Sequence, residues 1–268
     1  MKFRLLKIIF LVVLLSLPTA LEAQTKKNTR PKKPAAAVPA TPQPTPESVS
    51  ETATKKNERP TDAKPAGSSG KNLQVYTPVY FYQFDRPGFV TPRVLIEHDT
   101  SGKGKISFSR NDTDEMLSDP IQLSTVTLGG INEAFVRLNF IDATESYQYE
   151  KELPQMGKVE IKLKKDGHER TVTFNWTVNK DARFLMDEYR RVGNEYLWKF
   201  DMAVARENQP LQTPGMVDAL DSYLTRNEIS DPPHLVPYLT ELAKDERLPL
   251  LARNHVSRLI KQIEKQKQ

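Results

Sequence analysis

The sequence predicts an α+β fold: an antiparallel sheet of about five strands with helices on one face, followed by a small α-helical C-terminal unit. Apolar residues alternate with polar ones through 158–178 on both sides of Asp166-Gly167, which is typical of a β-hairpin. Apolar residues recur at helical spacing through 179–207, and only helical patterns follow. Hairpins indicate an antiparallel sheet with one wet face, so we expect the helices to cover the other face.

Residues 1–23 have the pattern of a secretory signal peptide. Lys2, Arg4 and Lys7 precede an apolar run at 8–17, and Pro18 and small residues up to Ala23 follow. An uncleaved anchor is the alternative, but the run is shorter than the roughly 20 residues of a spanning helix. We therefore predict an exported protein, periplasmic or extracellular, with no transmembrane segment after cleavage. The chain contains no Cys for lipid attachment, disulfides, thiol catalysis or thiolate metal sites.

Residues 24–72 are predicted to be a disordered, Pro/Lys-rich tether. The segment contains no Phe, Tyr, Trp, Leu or Ile, so it has little apolar surface to bury. The net charge is +5 for the chain, +2 for the signal and +6 for the tether, which leaves −3 for residues 73–268. The high pI therefore belongs to the tether, and no nucleic-acid partner is expected. Lysines of the tether either contact an anionic envelope polymer or lipid weakly or only keep the linker soluble.

Residues 73–208 are predicted to form the α+β domain. Strands are expected at 78–84, 93–99 and 105–111, with a glycine-containing connection between the second and the third. Ser124 is placed to cap a helix whose apolar positions run to Leu138. The hairpin of 158–178 follows, and Asn179 is expected to cap a long helix that ends near residue 207.

Residues 209–268 are predicted to be a helical unit. Val217, Leu220 and Leu224 indicate a short helix, Asp231 followed by two prolines indicates the start of a second, and residues 250–266 have the pattern of a third. Residues 231–266 loosely resemble the paired helices of a HEAT-type repeat. One such pair is too little for a stacked solenoid, so we expect these helices to pack on the α+β domain or on each other.

The stretch "HDTSGKGKISFSR" at 98–110 matches a calcium loop that begins at Asp99 only in part. Lys103 and Arg110 stand where two oxygen ligands belong, and both flanks are strand-like, so we interpret the stretch as a turn between strands, with Gly102 and Gly104 best able to take positive φ. Three carboxylates, those of Asp112, Asp114 and Glu115, could hold a divalent ion or form a solvated loop, and the second is favoured.

No residue is predicted to be catalytic, to bind a cofactor or to ligate a metal. His98, His168, His234 and His255 have no paired metal-ligand spacing, and no nucleophile motif occurs. The strongest functional lead is a group of aromatic residues that could form a platform for a peptide or glycan, although a role in the core is favoured. In the first strand Tyr80, Tyr82 and Phe84 are expected to share one face. The other members of the group are Tyr76, Phe81, Tyr147 and Tyr149.

Residues 93–195 resemble an uncharacterised family of exported bacterial hairpin–helix–hairpin–helix domains. The resemblance rests on "RVLIEHDTSGKGKISFSR", "LNFIDATESYQYE", "GKVEIKLKKDGHERTVTFNW" and "LMDEYRRVGN". The "L-x-F-x-D" phrase of that family is Leu138-Asn-Phe140-Ile-Asp142 here, whereas the cysteines that some relatives carry are missing. The resemblance implies this fold and export, and no activity.

These observations lead to the hypothesis of a non-enzymatic binding or scaffolding module in the bacterial cell envelope, with another envelope protein or a peptide as its partner. The alternative is an envelope hydrolase with a dispersed carboxylate acid/base pair. A deep pocket with two inward carboxylates or a clustered histidine would favour the hydrolase, and a shallow surface or an open sheet edge would favour binding.

Overall fold

The computed structural model describes residues 76–110 and 115–266. The predicted signal peptide (1–23), the predicted tether (24–72), Asp112 and Asp114 lie outside these ranges. Within the described residues, none of the helices combines the length and the apolar character that a membrane span requires.

Six strands form one antiparallel sheet in the order β4-β3-β2-β1-β5-β6. Their bounds are β1 Tyr80–Asp85, β2 Arg93–His98, β3 Lys103–Ser109, β4 Leu117–Gln122, β5 Lys158–Lys165 and β6 His168–Phe174. The predicted α+β class and the antiparallel pairing are confirmed, with six strands instead of about five.

The strand missed by the prediction is β4. Pro120 and the short polar residues around it give this segment a weak strand signal, because proline cannot donate a hydrogen bond to a sheet ladder. At the edge of the sheet this missing donor is tolerated, and β4 pairs only with β3. In the register, Pro120 lies opposite Lys105.

The second hairpin has the predicted turn. Lys165 pairs with His168, which leaves Asp166 and Gly167 as a two-residue loop. Both loop residues have positive φ, 52° and 77°, as a type I′ turn requires. Asp-Gly favours this turn because both residues tolerate the left-handed region.

Five α-helices accompany the sheet. Their bounds are α1 Thr125–Arg137, α2 Lys180–Asn208, α3 Thr213–Thr225, α4 Pro232–Lys244 and α5 Leu250–Gln266. Two predicted caps are confirmed: Ser124 Oγ accepts from Thr127 N, and Asn179 Oδ1 accepts from two amides of the first turn of α2. Asp231 precedes α4 as predicted, but its side chain makes no capping hydrogen bond. One amide that it could have bound is missing, because Pro233 has no N–H.

The helix α2 belongs to two hydrophobic cores. Its first half packs with α1 on the inner face of the sheet, where Leu185, Tyr189 and Val192 are buried. Its second half packs against α3, α4 and α5 through Trp198 and Met202. The long helix therefore carries side chains of both cores along one continuous backbone.

Two apolar residues of the helical patterns predicted at 179–207 and 250–266 face solvent. Val204 of α2 is 45% exposed and Leu251 of α5 is 69% exposed. Each is next to a buried residue of the same helix, Ala205 or Ala252, so it lies on the outward side of a helix that is still packed at that point. The other predicted apolar residues of α5 are buried or partly buried against the second core.

The outer face of the sheet carries matched charges. Lys105 pairs with Glu97, Arg93 with Asp85, and Lys162 with Glu169. The prediction of one wet face is thereby confirmed. Exposed pairs of this kind contribute little stability each, and they keep this face of the sheet hydrated.

Candidate functional site

A cleft of about 400 Å³ opens where the β3–β4 end of the sheet meets α2 and α4. This volume lies in the range of ordinary ligand sites. The cleft joins residues that are far apart in sequence and come from four elements and the segment before β1. Its lining residues are Tyr76, Lys103, Gly104, Pro120, Ile121, Gln122, Tyr196, Lys199 and His234.

A buried carboxylate binds a lysine and a histidine side chain at this cleft. Glu195 of α2 is 3% exposed. Its Oε1 atom lies 2.5 Å from Lys199 Nζ, one helical turn further along α2, and 3.0 Å from His234 Nδ1, in the first turn of α4. The carboxylate therefore ties α2 to α4 and orients a lysine and a histidine together.

The electrostatics favour an ionised Glu195. Burial opposes the charge, but the hydrogen bond from His234 and the ammonium of Lys199 lower the pKa of the Glu195 carboxyl below its usual value. Since an ionised carboxylate only accepts, Nδ1 of His234 must carry the proton of this hydrogen bond. The Nε2 atom of His234 is the ring nitrogen left for a ligand.

Tyr196 fixes the wall of the cleft that is formed with the end of β4. Its hydroxyl donates to Gln122 O at 2.5 Å and accepts from Gln122 N at 3.0 Å, so it replaces a neighbouring strand at the end of β4. The Lys199 ammonium also lies 4.6 Å from the centroid of the Tyr196 ring, a cation–π distance. The lysine head is thereby held between a carboxylate and a ring.

Lys103 adds a second lysine at the rim. Within the described residues it makes no ion pair, and its side chain is exposed. Asp119, a carboxylate on this part of β4, has interactions of its own and is not among the lining residues. Lys103, Lys199 and His234 thus line the cleft. The Glu195 carboxylate, which binds Lys199 and His234, is buried beneath them.

The structure shows a turn at the stretch that partly matches a calcium loop. Asp99 Oδ1 accepts hydrogen bonds from Ser101 N, Ser101 Oγ and Lys103 N, at 2.8, 2.7 and 3.1 Å. These donors occupy the oxygen that a cation would need. Gly102 has the expected positive φ of 79°. For Gly104 the expectation was wrong: it lies in β3 and has no positive φ. Glycine is needed there because an added Cβ would come within 1.9 Å of Glu97 O.

The four histidines lie at separate places, as their spacing suggests. His98 is fully buried beside Tyr189, His168 begins β6, His234 lines the cleft, and His255 lies between two aspartates of α3. Among residues 76–110 and 115–266, no three His, Asp or Glu side chains form a group that could hold a metal. Asp112 and Asp114 lie outside these ranges.

The aromatic group serves mainly as core. Tyr82 is buried, and Tyr80 and Phe84 pack against the same core, which confirms that these three residues share the inner face. Phe81 lies on the outer face beneath Lys162 and Lys164, 4.7 and 5.2 Å from their ammonium groups. Tyr147 is buried as well. Only Tyr76 reaches the cleft.

Sequence reasoning missed the cleft residues Glu195, Lys199 and His234. An i,i+4 Glu–Lys pair is common on exposed helix faces, so its spacing alone does not indicate a site. The available signal was its position inside the apolar stripe of α2, next to Tyr196 and Trp198. A charged pair among buried residues needs partners from another element, and His234 is that partner here.

No protein-family model matches the chain, and no curated protein matches it significantly. The resemblance to exported hairpin–helix–hairpin–helix domains and the HEAT-like character of 231–266 stay predictions. The class that the fold itself defines is an antiparallel α+β sheet protein with a C-terminal helical layer.

Proposed function

We propose that the protein is an exported, non-enzymatic binding or scaffolding module of the bacterial cell envelope, and that its cleft holds an acidic group of a partner polypeptide. The observation that carries the proposal is the arrangement of Lys103, Lys199 and His234 around a cleft whose buried carboxylate is already bound by two of them. Export is supported by the N-terminal sequence pattern.

The arrangement suits a carboxylate for two reasons. The Lys199 ammonium has three donors and uses one on Glu195, so donors remain for a ligand. Glu195 also fixes the position of the lysine and of His234 before binding, which lowers the entropy cost of ordering them around a ligand. Tyr76, Pro120 and Ile121 supply apolar contacts beside these charges.

The test is a titration of the full chain with a fluorescent glutamate-containing peptide and with a matched peptide in which every glutamate is glutamine. We expect saturable binding of the acidic peptide only, weakened by salt. Lys103→Gln should reduce the affinity, because it removes a rim charge. Lys165→Gln, at the exposed hairpin tip, is the matched control and should not. Equal binding of both peptides, or of neither, contradicts the proposal.

General-base hydrolysis is the second candidate, and the Glu195–His234 pair favours it. A carboxylate that holds one ring nitrogen of a histidine leaves the other nitrogen oriented to take a proton from water. Turnover of a peptide or glycan panel that is abolished by His234→Gln would support this candidate. Binding of the acidic peptide without any turnover would support the first.

A further inference from the structure

The two edge strands of the sheet, β4 and β6, differ in which of their outward backbone groups are already hydrogen-bonded. At the β4 edge, Leu123 N donates to Gly102 O at 2.9 Å, so the backbone polar groups of Leu123 point toward β3. Hydrogen-bonded and non-hydrogen-bonded residue pairs alternate along an antiparallel ladder. The backbone polar groups of Gln122 and Pro120 therefore point away from β3. Both amide and carbonyl of Gln122 are bound by the Tyr196 hydroxyl, and Pro120 has no N–H to offer. Gln122 and Pro120 therefore offer no free N–H donor to a further strand at this part of the edge.

The β6 edge is open along a short stretch. Lys164 N donates to Val79 O of the segment before β1, so it points away from β6. Lys164 lies opposite Glu169, and by the same alternation the amides and carbonyls of Glu169, Thr171 and Thr173 point away from β5. Within the described residues these backbone groups have no hydrogen-bond partner, and all three residues are exposed.

The open stretch has a defined end on each side. The type I′ turn closes one end, next to His168. At the other end, Gln148 covers the edge: its side-chain carbonyl accepts from Asn175 N, and its amide donates to Asn175 Oδ1, both at 2.9 Å. Five residues, Glu169–Thr173, therefore remain available, a length that suits one short added strand.

We infer that β6 is a self-association edge, at which two copies of the chain pair antiparallel from Glu169 to Thr173 and extend the sheet across a two-fold axis at Thr171. The sequence of the stretch suits a second copy. Thr171 lies opposite Thr171 of the other copy, a favourable cross-strand pair, and Glu169 lies opposite Thr173, so like charges do not meet.

Charge complementarity beyond the paired stretch favours the same partner. Antiparallel pairing brings the turn end of one copy toward the Asn175 end of the other. The turn end carries the exposed Lys164, Lys165 and Asp166, a net charge of +1, and the segment beside Asn175 carries the exposed Glu150, Lys151 and Glu152, a net charge of −1. The attraction between these ends is strongest at low salt. The inference concerns the sheet edge and is independent of the cleft.

The test is sedimentation of the full chain from micromolar to millimolar concentration, for the wild type and two variants at Thr171. Thr171→Pro removes the central edge donor but no bond to β5, since Thr171 and Lys162 form a non-hydrogen-bonded pair. The chain itself tolerates proline in the corresponding position of β4. Thr171→Val keeps the edge donor and is the matched control.

We expect a salt-sensitive monomer–dimer equilibrium for the wild type and for Thr171→Val. Thr171→Pro should weaken the dimer about tenfold or more, because two symmetric hydrogen bonds are lost. Thr171→Lys, which places like charges opposite each other without touching the backbone, should act in the same direction if the proline variant folds poorly. A wild type that stays monomeric, or a dimer that neither substitution weakens, overturns the inference.

Discussion

Acid should destabilise the protein through His98, the histidine buried beneath the sheet. Its Nδ1–H donates to Asp99 O and its Nε2 accepts from the Tyr189 hydroxyl, each at 2.9 Å, so the neutral ring is fully bonded. Burial lowers the pKa of His98 to about 4, although the backbone carbonyl and the charge of Asp99 oppose this shift. The unfolded chain binds this proton below about pH 6.5, and the folded chain binds it only below about pH 4.

The sign of the effect follows from that difference. Between these two pH values the unfolded state holds more protons, so the free energy of unfolding falls as the pH falls from about 6.5 toward 4. At pH 5 the loss due to His98 alone is about 2 kcal/mol. This pH interval lies mostly above the pH at which Asp and Glu residues with a lowered pKa begin to bind protons, so they contribute little to the loss.

The assay is urea unfolding at pH 7 and pH 5, for the wild type and for His98→Gln. Glutamine keeps a side-chain acceptor for the Tyr189 hydroxyl and does not titrate. Both proteins carry the other three histidines, so the difference between their pH dependences isolates His98. The wild type should lose about 2 kcal/mol more than the variant on acidification. If the two proteins lose stability equally, His98 is not held neutral in the fold and the reasoning fails.

Substitutions at four further positions test the fold and the cleft, with thermal and urea unfolding as the measurement. Ser124→Ala should cost about 1 kcal/mol because it removes the cap of α1, and Ser124→Asp, which keeps an acceptor, should not. Gly129→Ala, in open space in α1, should raise stability by up to about 1 kcal/mol, whereas Gly104→Ala should lower it strongly because its Cβ would meet Glu97 O at 1.9 Å. Glu195→Gln should cost about 3 kcal/mol by leaving the largely buried Lys199 ammonium without its carboxylate, and an unchanged midpoint would show that this carboxylate does not tie α2 to α4.

Local patterns sufficed where the neighbours of a residue in sequence decide its structure. Asp166-Gly167 determines its own turn, and Ser124 and Asn179 cap their own helices, so these features were predicted correctly. The strand β4 was missed because its stability comes from β3 and from the Tyr196 hydroxyl, 74 residues further along the chain. Propensity contains no information about a partner at that distance.

The candidate site was not predictable for the same reason. His234 and Glu195 are 39 residues apart, and only the packing of α4 on α2 brings them within 3.0 Å. Sequence spacing excluded a calcium loop because the ligand positions of that loop are local. A site assembled from α2, α4 and the β3–β4 end of the sheet has no local spacing to recognise.

The position of Glu195 explains why stability and binding should be linked in this protein. It lies on α2 between the part that packs on the sheet and the part that packs on α3–α5, and its second partner is in α4. Any loosening of α4, for example by truncation of the buried Leu239, would withdraw His234 from the carboxylate and remove one wall of the cleft. A ligand bound in the cleft would contact both sides of this junction, so binding should in turn hold the two cores together. A ligand that raises the unfolding temperature of the wild type clearly more than that of Leu239→Ala would be the signature of that linkage, and equal shifts would contradict it.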